Sequence, residues 1–575
     1  MVDAQTHDPT APGFVTARRS DGGFVHVEVY RIPSVFRPHG VTMHIVKATL
    51  GGDSLSSGQT FSVIYGDQTG GSPGAQAQFL AREVVFPVFV GTAGPDGSKD
   101  FARAMQSIWR PTLAEVAAAA TFTPSVRVIG GEPASFGVFA SSVVTLGTRV
   151  PVKVRARDAH GNAASYTGSP VILNLIQDPQ GTLPCGSVSE VQLDAPGAAR
   201  IVAVDSENRL MGTSAPVVVS ETPPELKLYW GEIHAHTIFS DALGQIDEHF
   251  DCAINNGCLD FGAISDHDTW MERNPESWEI ITAKTREYNK PGEFVTLLGY
   301  EMLVHAAGRY SSHANIYFPG ESGPMLARMD VEQVLELCRN HGAIAIPHHT
   351  QYGWPNMGTN WDDWAKFTPQ EMPVVEIFST HGNSEYFGCP GSVLWPAKGQ
   401  SVQDGLARGH RFGFIGGSDY HECLLGHPMD IAKYPRTVNN RHMQARSGLT
   451  AVYAPELTRE AIFDAIKKRR VYATSGERIV LGFQVNGTPM GGELVSSDAA
   501  RELDIRVHAT RKLAAVEIIR NGEVVHAEHP RSLDFEFTWQ DTDPVPAGTY
   551  YYLRVTQIDG EQAWSSPVWV GEDKS

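Results

Sequence analysis

Hydrophobic positions along this chain follow two rhythms. Up to about residue 222, and again beyond about 479, apolar residues come in short β-branched and aromatic runs separated by turn-forming residues. That is the pattern of half-buried strands in β-sandwiches. Runs at 24–32, 41–49 and 83–90, split by Gly51-Gly52 and Gly70-Gly71-Ser72-Pro73, predict a β-rich domain over residues 1–125, with a short helix over 113–121. Runs at 125–128, 135–139, 150–156 and 171–175 predict a second β domain over 126–224, with the turn Asp158-Ala-His-Gly-Asn162 inside it and Pro223-Pro224 as linker. Asn486-Gly487 and Asn521-Gly522 predict tight hairpin turns in a last sandwich over 479–575, closed by strands at 550–557 and 563–570.

Between these blocks, residues 225–478 alternate apolar strands with amphipathic helices. A helix over 246–256 has Gly257 as its terminating residue. A second is capped by Asp330, with Gln333 completing a capping box. It buries Val331, Val334, Leu335 and Cys338 and stops at Gly342. A third, over 458–470, buries Ala461, Ile462, Ala465 and Ile466 and turns the basic run 467–470 to water. Repeated strand–helix units of this size imply a parallel sheet or barrel.

Composition narrows the classes. The chain has 575 residues, 42% hydrophobic and 19% charged, which suits several packed domains. No run of about 18 apolar residues occurs, so no helical membrane span is expected. Net charge is −19, from 46 Lys and Arg against 65 Asp and Glu, which disfavours a nucleic-acid binder. Six scattered cysteines form no C-x-x-C pair. With no secretory pattern in the first residues, free thiols in a cytoplasmic protein are expected. Histidine is the oddity: thirteen of 22 lie between His234 and His427.

Those histidines sit where strands end. The strand over 226–233 runs into His234-Ala-His236, and residues two apart in an extended chain face one side. Asp241 follows in the loop. Later strand ends carry Asp266-His267-Asp268, Tyr300-Glu301, His348-His349, Glu376 with His381-Gly-Asn383, and Asp419-Tyr-His421; His313 opens a further strand. A single such residue is usually structural. Six consecutive strand ends bearing His, Asp or Glu are not, because parallel barrels gather those ends on one face. Carboxylates with neutral imidazoles suit Zn, Mn or Fe.

The set His234-x-His236, Asp241, His267, Glu301, His313, His348, Asp419-x-His421 resembles the polymerase-and-histidinol-phosphatase (PHP) family of metallohydrolases. The entry Trp230-Gly-Glu-Ile-His-Ala-His-Thr237, Pro-His-His-Thr350 and Glu376-Ile-Phe-Ser-Thr-His-Gly-Asn-Ser-Glu385 resemble its large branch related to carbaryl (carbamate) hydrolases. The 126–224 block is similar to immunoglobulin-like modules with a D-x-x-G-N turn. The resemblance implies a distorted (β/α)7 barrel over 225–478, flanked by β-sandwiches, with two or three divalent transition metals. By position, one takes His234, His236, Glu301 and Asp419; a second takes Asp241, His267 and His421; a third takes His313 and His348 with Glu301 bridging. The family pattern favours His348 over His349.

The implied activity is hydrolysis of an ester-type bond by a metal-activated water. Asp266, Asp268 and Glu376 are candidates to orient the histidines, and His349, His381 and Tyr420 to give a proton to the leaving group. Near the motifs the cations are Arg273, Arg309 and Arg411, whereas Tyr352, Trp354, Trp361, Trp364, Phe387 and Trp395 are dense. If those rings line the mouth, a small carbamate or carboxylic ester fits; phosphomono- or diesterase activity, or a non-catalytic metal scaffold, are the alternatives. The expected partner is a small-molecule ester, not nucleic acid or membrane; homo-oligomerisation is left open.

Overall fold

The computed structural model of the chain describes residues 5–12, 14–32, 43–50, 57–65, 67–72, 81–85, 123, 125–168, 171–174, 188–205, 207, 209–306, 308–353, 358–430, 445–495 and 500–571. The helix expected over 113–121 lies outside them, as do Cys185 and Trp354. Strands dominate the described residues, and the longest α-helix there is Glu276–Tyr288. No helix among them is long and apolar enough to cross a membrane. The five described cysteines, Cys252, Cys258, Cys338, Cys389 and Cys423, are free thiols.

The chain forms two compact units. The first, Met1–Ile129 with Arg436–Arg441, pairs Val15–Arg19 with Phe61–Tyr65 and Val25–Ile32 with Met43–Leu50, each antiparallel. Ser125–Arg127 belongs to this unit because it pairs with Glu83–Val85.

The second unit takes in Gly130–Pro435 and His442–Ser575. Its first part is a β module with Phe136, Val152, Val154, Ile201 and Ala203 in its own core. Alternation along Arg149–Arg157 builds that core: Val150, Val152, Val154 and Ala156 are buried and their neighbours are not.

The histidine-rich part is built from three sheets. Lys227–Glu232, Phe261–Gly262 and Val295–Thr296 run parallel. On its other edge, Lys227–Glu232 pairs antiparallel with Leu449–Ala454, which pairs with Val471–Thr474 and through it with Gln562–Ser565 and Tyr550–Gln557. One sheet thus passes without a break into the C-terminal strands, and one apolar core underlies both. Leu298–Ala306 turns back as a hairpin onto Arg309–Phe318, which carries Ile344–Pro347 antiparallel on its far edge. Val374–Ser379 lies parallel to Gly413–Gly416. The expected strand–helix alternation gives way here to a hairpin, and Arg309–Phe318 opposes both its neighbours.

Backbone contacts stitch the carboxyl ends of these sheets together. The Asp419 N–H donates to His234 O (2.7 Å), His236 N–H to Tyr420 O (3.0 Å), and Glu301 N–H to Asp266 O (3.0 Å). Helices outside the strands behave as their caps dictate. Asp330 accepts from Gln333 N–H in a reciprocal capping box, and Gly342 ends that helix at φ +63°. The helix expected over 246–256 is α only at Ile246–Cys252; Ala253–Gly257 is a π turn, and the left-handed cap is Cys258, not Gly257. Gly257 is required for closeness instead, since a Cβ there would stand 2.6 Å from Gly426 O. The helix Arg459–Lys467 buries Ile462, Ala465 and Ile466. Its basic end is only partly solvated: Arg469 lies over the Trp569 ring and donates to Gly491 O.

Candidate metal centre

Glu301 and His313 stand within strands, His234 and His348 follow just after one, and His236, Asp241, His267, Asp419 and His421 lie in the segments beyond strand ends; the stitching above brings these segments together. Glu301, in Leu298–Ala306, is the hub. Its Oε2 lies 2.9 Å from His236 Nε2 and 3.2 Å from His234 Nε2. Its Oε1 lies 2.6 Å from His313 Nδ1, 3.2 Å from His348 Nε2 and 3.5 Å from His267 Nδ1. Asp419 Oδ1 stands 3.2 Å from His236 Nε2 and 3.4 Å from His234 Nε2. Asp241 Oδ1 is 3.3 Å from both His267 Nε2 and His421 Nε2.

Three groups of potential donors result, each with ligand atoms within 4.8 Å of one another: His234, His236, Glu301 and Asp419; His236, Asp241, His267 and His421; and Glu301, His313, His348 and His349. All nine nominated ligands are in these groups, and His349 is the addition. Burial is nearly complete, with His234, His236 and His348 at 0% and Glu301 at 1% exposure.

So many donors converging in one dry volume are costly without a cation. His313 Nε2 and His348 Nδ1 are buried and make no hydrogen bond among the described residues, which fits residues arranged for ions rather than for one another. Burial alone would raise Glu301, but the facing His267 and His348 hold its carboxyl well below the usual range. Burial opposes ionisation of Asp419 likewise, and His234 and His381 overcome it. His236, His267 and His313 are pushed down by burial, so they stay neutral with lone pairs to offer.

The supporting residues differ in part from expectation. Glu376 Oε2 lies 2.9 Å from Nδ1 of His234, a nominated ligand. Among the described residues, the Asp266 carboxylate hydrogen-bonds to no nominated ligand. It accepts from Thr237 N–H (2.7 Å), Thr237 Oγ1 (2.6 Å) and Ser240 Oγ (2.5 Å), and only Ser240 approaches His236 Nδ1, at 3.4 Å. Asp268 accepts from the Thr269 and Arg328 N–H groups. Of the nominated proton donors, His381 Nε2 lies 2.9 Å from Asp419 Oδ2, and His349 packs against His348. The Tyr420 hydroxyl is buried and shared between the carbonyls of Met429 (3.1 Å) and His427 (3.3 Å).

Three residues escaped the sequence reading. Glu232 Oε1 accepts from His234 N–H (2.9 Å), Ser418 Oγ (2.9 Å) and Ser418 N–H (3.2 Å), and so clamps the two strand ends that carry His234 and Asp419. Burial pushes its carboxyl up to about 8. An acid two residues before His234, inside an apolar strand, was the available signal. Gly417 leaves room for Glu376, whose Oε2 would be 2.0 Å from any Cβ there.

The aromatic residues are divided. Trp361 and Trp364 are core, at 1% and 0% exposure; Trp361 stacks on Phe412 and donates to Ser401 O. Phe387 and Trp395 are exposed, and Lys398 lies over the Phe387 ring. Tyr352 alone among the described rings of that set reaches the centre, 5.6 Å from His349 and 5.4 Å from His381. Arg411 pairs with Glu493 at 2.6 Å and Arg273 lies over Trp270.

Residues 403–486 match a family of proteins of unknown function, DUF3604. Two proteins described as uncharacterized are similar over most of their length. One, from Chlamydia trachomatis, is 28% identical over 90% of this chain and 84% of its own. One from Chlamydia muridarum is 27% identical over the same shares. Among solved structures, a two-domain protein containing a predicted PHP-like metal-dependent phosphoesterase, from Bacteroides vulgatus, aligns over 60% of this chain and 97% of its own, at 15% identity and a TM-score of 0.34.

Proposed function

We propose that the protein is a metal-dependent hydrolase of ester-type bonds in small molecules, of the PHP kind that its ligand set resembles. The observation that carries this is the convergence of His234, His236, Asp241, His267, Glu301, His313, His348, Asp419 and His421 into adjoining donor groups around one buried carboxylate. Strand ends stitched side by side, with one reversed strand at Arg309–Phe318, support a distorted barrel rather than an open sheet. Zn, Mn or Fe ions suit such imidazole–carboxylate donors, and when bound they supply Lewis acidity and a water acidified toward neutral pH.

The chain's own residues do the rest. Glu301 and Asp419 stay ionised and set the charge of the site. Glu376 fixes the ring orientation of His234 through Nδ1. The Glu232–Ser418 clamp holds two ligand-bearing strand ends in register. His381, whose Nε2 lies 2.9 Å from Asp419 Oδ2, is the imidazole we assign to move a proton at the leaving group.

The burial of Trp361 and Trp364 removes much of the case for an aromatic mouth, so phosphoesters stand first among the substrates and carbamate or carboxylic esters second. The test is a metal assay with a screen of 4-nitrophenyl phosphate, bis(4-nitrophenyl) phosphate, 4-nitrophenyl acetate and 1-naphthyl N-methylcarbamate. Bound transition metal, and activity lost in His267→Ala, are expected. A chain that binds no metal, or a His267→Ala variant as active as the parent, would overturn the reading.

A further inference from the structure

The strand Ile344–Pro347 ends on two consecutive histidines. In extended backbone, residues 348 and 349 would point to opposite faces. Here the chain turns at His349, whose φ is +34°, a conformation that costs a non-glycine residue energy and persists where the surroundings impose it. The turn brings both rings to one side, their centroids 4.5 Å apart and their planes at 88°.

His349 is as enclosed as the ligands themselves, at 4% exposure. His313 stands 4.9 Å and His381 5.3 Å from its ring. Its Nδ1 is buried and makes no hydrogen bond among the described residues. A buried imidazole with an idle nitrogen is unusual in a packed protein. One donor atom each from Glu301, His313, His348 and His349 falls within a 4.8 Å span. Donors about 2 Å from a shared tetrahedral ion sit about 3.3 Å apart, so small ring rotations close that span.

We propose that His349 is a metal donor, the fourth beside Glu301, His313 and His348. The proposal rests on the metal-dependent reading above and deepens it. With two imidazoles and a shared carboxylate, this position would be the weakest of the three. A third imidazole would bring the set to the four donors that Zn2+ favours.

The experiment compares the purified full chain with His349→Asn and His349→Gln, and with Glu301→Gln as the variant that damages the whole cluster. Asn is chosen because it tolerates the left-handed backbone; Gln keeps more of the volume. Metal content is measured after dialysis against a weak chelator, and Co2+ spectra are recorded on the refilled proteins, with circular dichroism to verify folding. The expected result is that a folded His349 variant loses the ion of one group and keeps the rest, with loss of intense four-coordinate Co2+ bands. Unchanged metal content and spectrum in a folded variant would overturn the proposal while leaving the metal-dependent reading intact. A parent chain that holds no metal would overturn both.

Discussion

At the scale of single residues, the centre depends on side chains that touch no substrate as much as on the donors. Gly417 is the sharpest case. In Gly417→Ala the new Cβ would collide with Glu376 Oε2, at 2.0 Å, and crowd His234 Cβ at 3.0 Å. We expect Glu376 to be displaced from His234 and metal affinity or activity to fall roughly 10–100-fold, the usual cost of losing such a supporting contact; metal titration and initial rates measure it. Tyr420→Phe separates packing from catalysis. Its hydroxyl serves the carbonyls of His427 and Met429, so the variant should lose about 1 kcal/mol of stability and keep the parent pH–rate profile. A fall of about 100-fold in kcat would instead mark the hydroxyl as a proton donor. The nine residues that converge here were nominated by residue type near strand ends together with the resemblance to the PHP family, both of which are visible in the sequence. Glu232 and Gly417 were not, because a clamp and a close approach exist only between segments remote in the chain.

At the scale of elements, the β module over residues 130–222 is part of the same compact unit as the metal centre, and its turn is a working contact. Asp158 accepts from the N–H groups of His160 (2.8 Å) and Asn162 (2.9 Å) and so shapes the turn. Asn162 Oδ1 then lies 3.2 Å from His427 Nε2, while His427 Nδ1 accepts from Met429 N–H. Burial pushes His427 down to about 3, so it stays neutral and keeps both bonds. Asn256 Nδ2 donates to Gly161 O, and Arg157 Nε to Asn256 Oδ1. The turn therefore braces residues 421–429, which follow directly on Asp419 and His421. Asn162→Ala should cost about 1–2 kcal/mol and weaken metal binding at the Asp241–His267–His421 group more than elsewhere, as read by stepwise metal titration. Equal weakening at all three groups would show only a global loss. The turn itself was legible from Asp158-Ala-His-Gly-Asn162; its partner was not, since nothing local ties residue 162 to residue 427.

At the scale of the whole molecule, the second unit is held together by contacts between segments far apart in the chain. Arg200, from the β module, pairs with Asp534 of the C-terminal strands at 2.8 Å and donates to Ala509 O. Burial would raise the Asp534 carboxyl, but His508 and Arg200 outweigh it and bring it down to about 2. A carboxyl lowered in the folded state contributes stability above its ordinary value of 3.8, and that contribution is lost as pH falls toward 2. Thermal melts should therefore decline over this window, and Asp534→Asn should decline less steeply than the parent. Identical slopes would remove Asp534 from the account.

By itself, the sequence determined the kinds of element, their order, and the chemistry they carry. Period-two runs, the capping residue Asp330, and Asn-Gly turns at 486 and 521 act over a few residues, so they can be read locally. The tertiary structure decided what depends on segments meeting. It turned Arg309–Phe318 back as a hairpin, and it ran one sheet from Val295–Thr296 into the C-terminal strands. It sent Trp361 and Trp364 into the core and the Tyr420 hydroxyl to the carbonyls of His427 and Met429, and it bent the backbone at His349 so that two adjacent histidines face one point. Those outcomes follow from packing and from the need to satisfy buried polar groups, which no single stretch of chain contains.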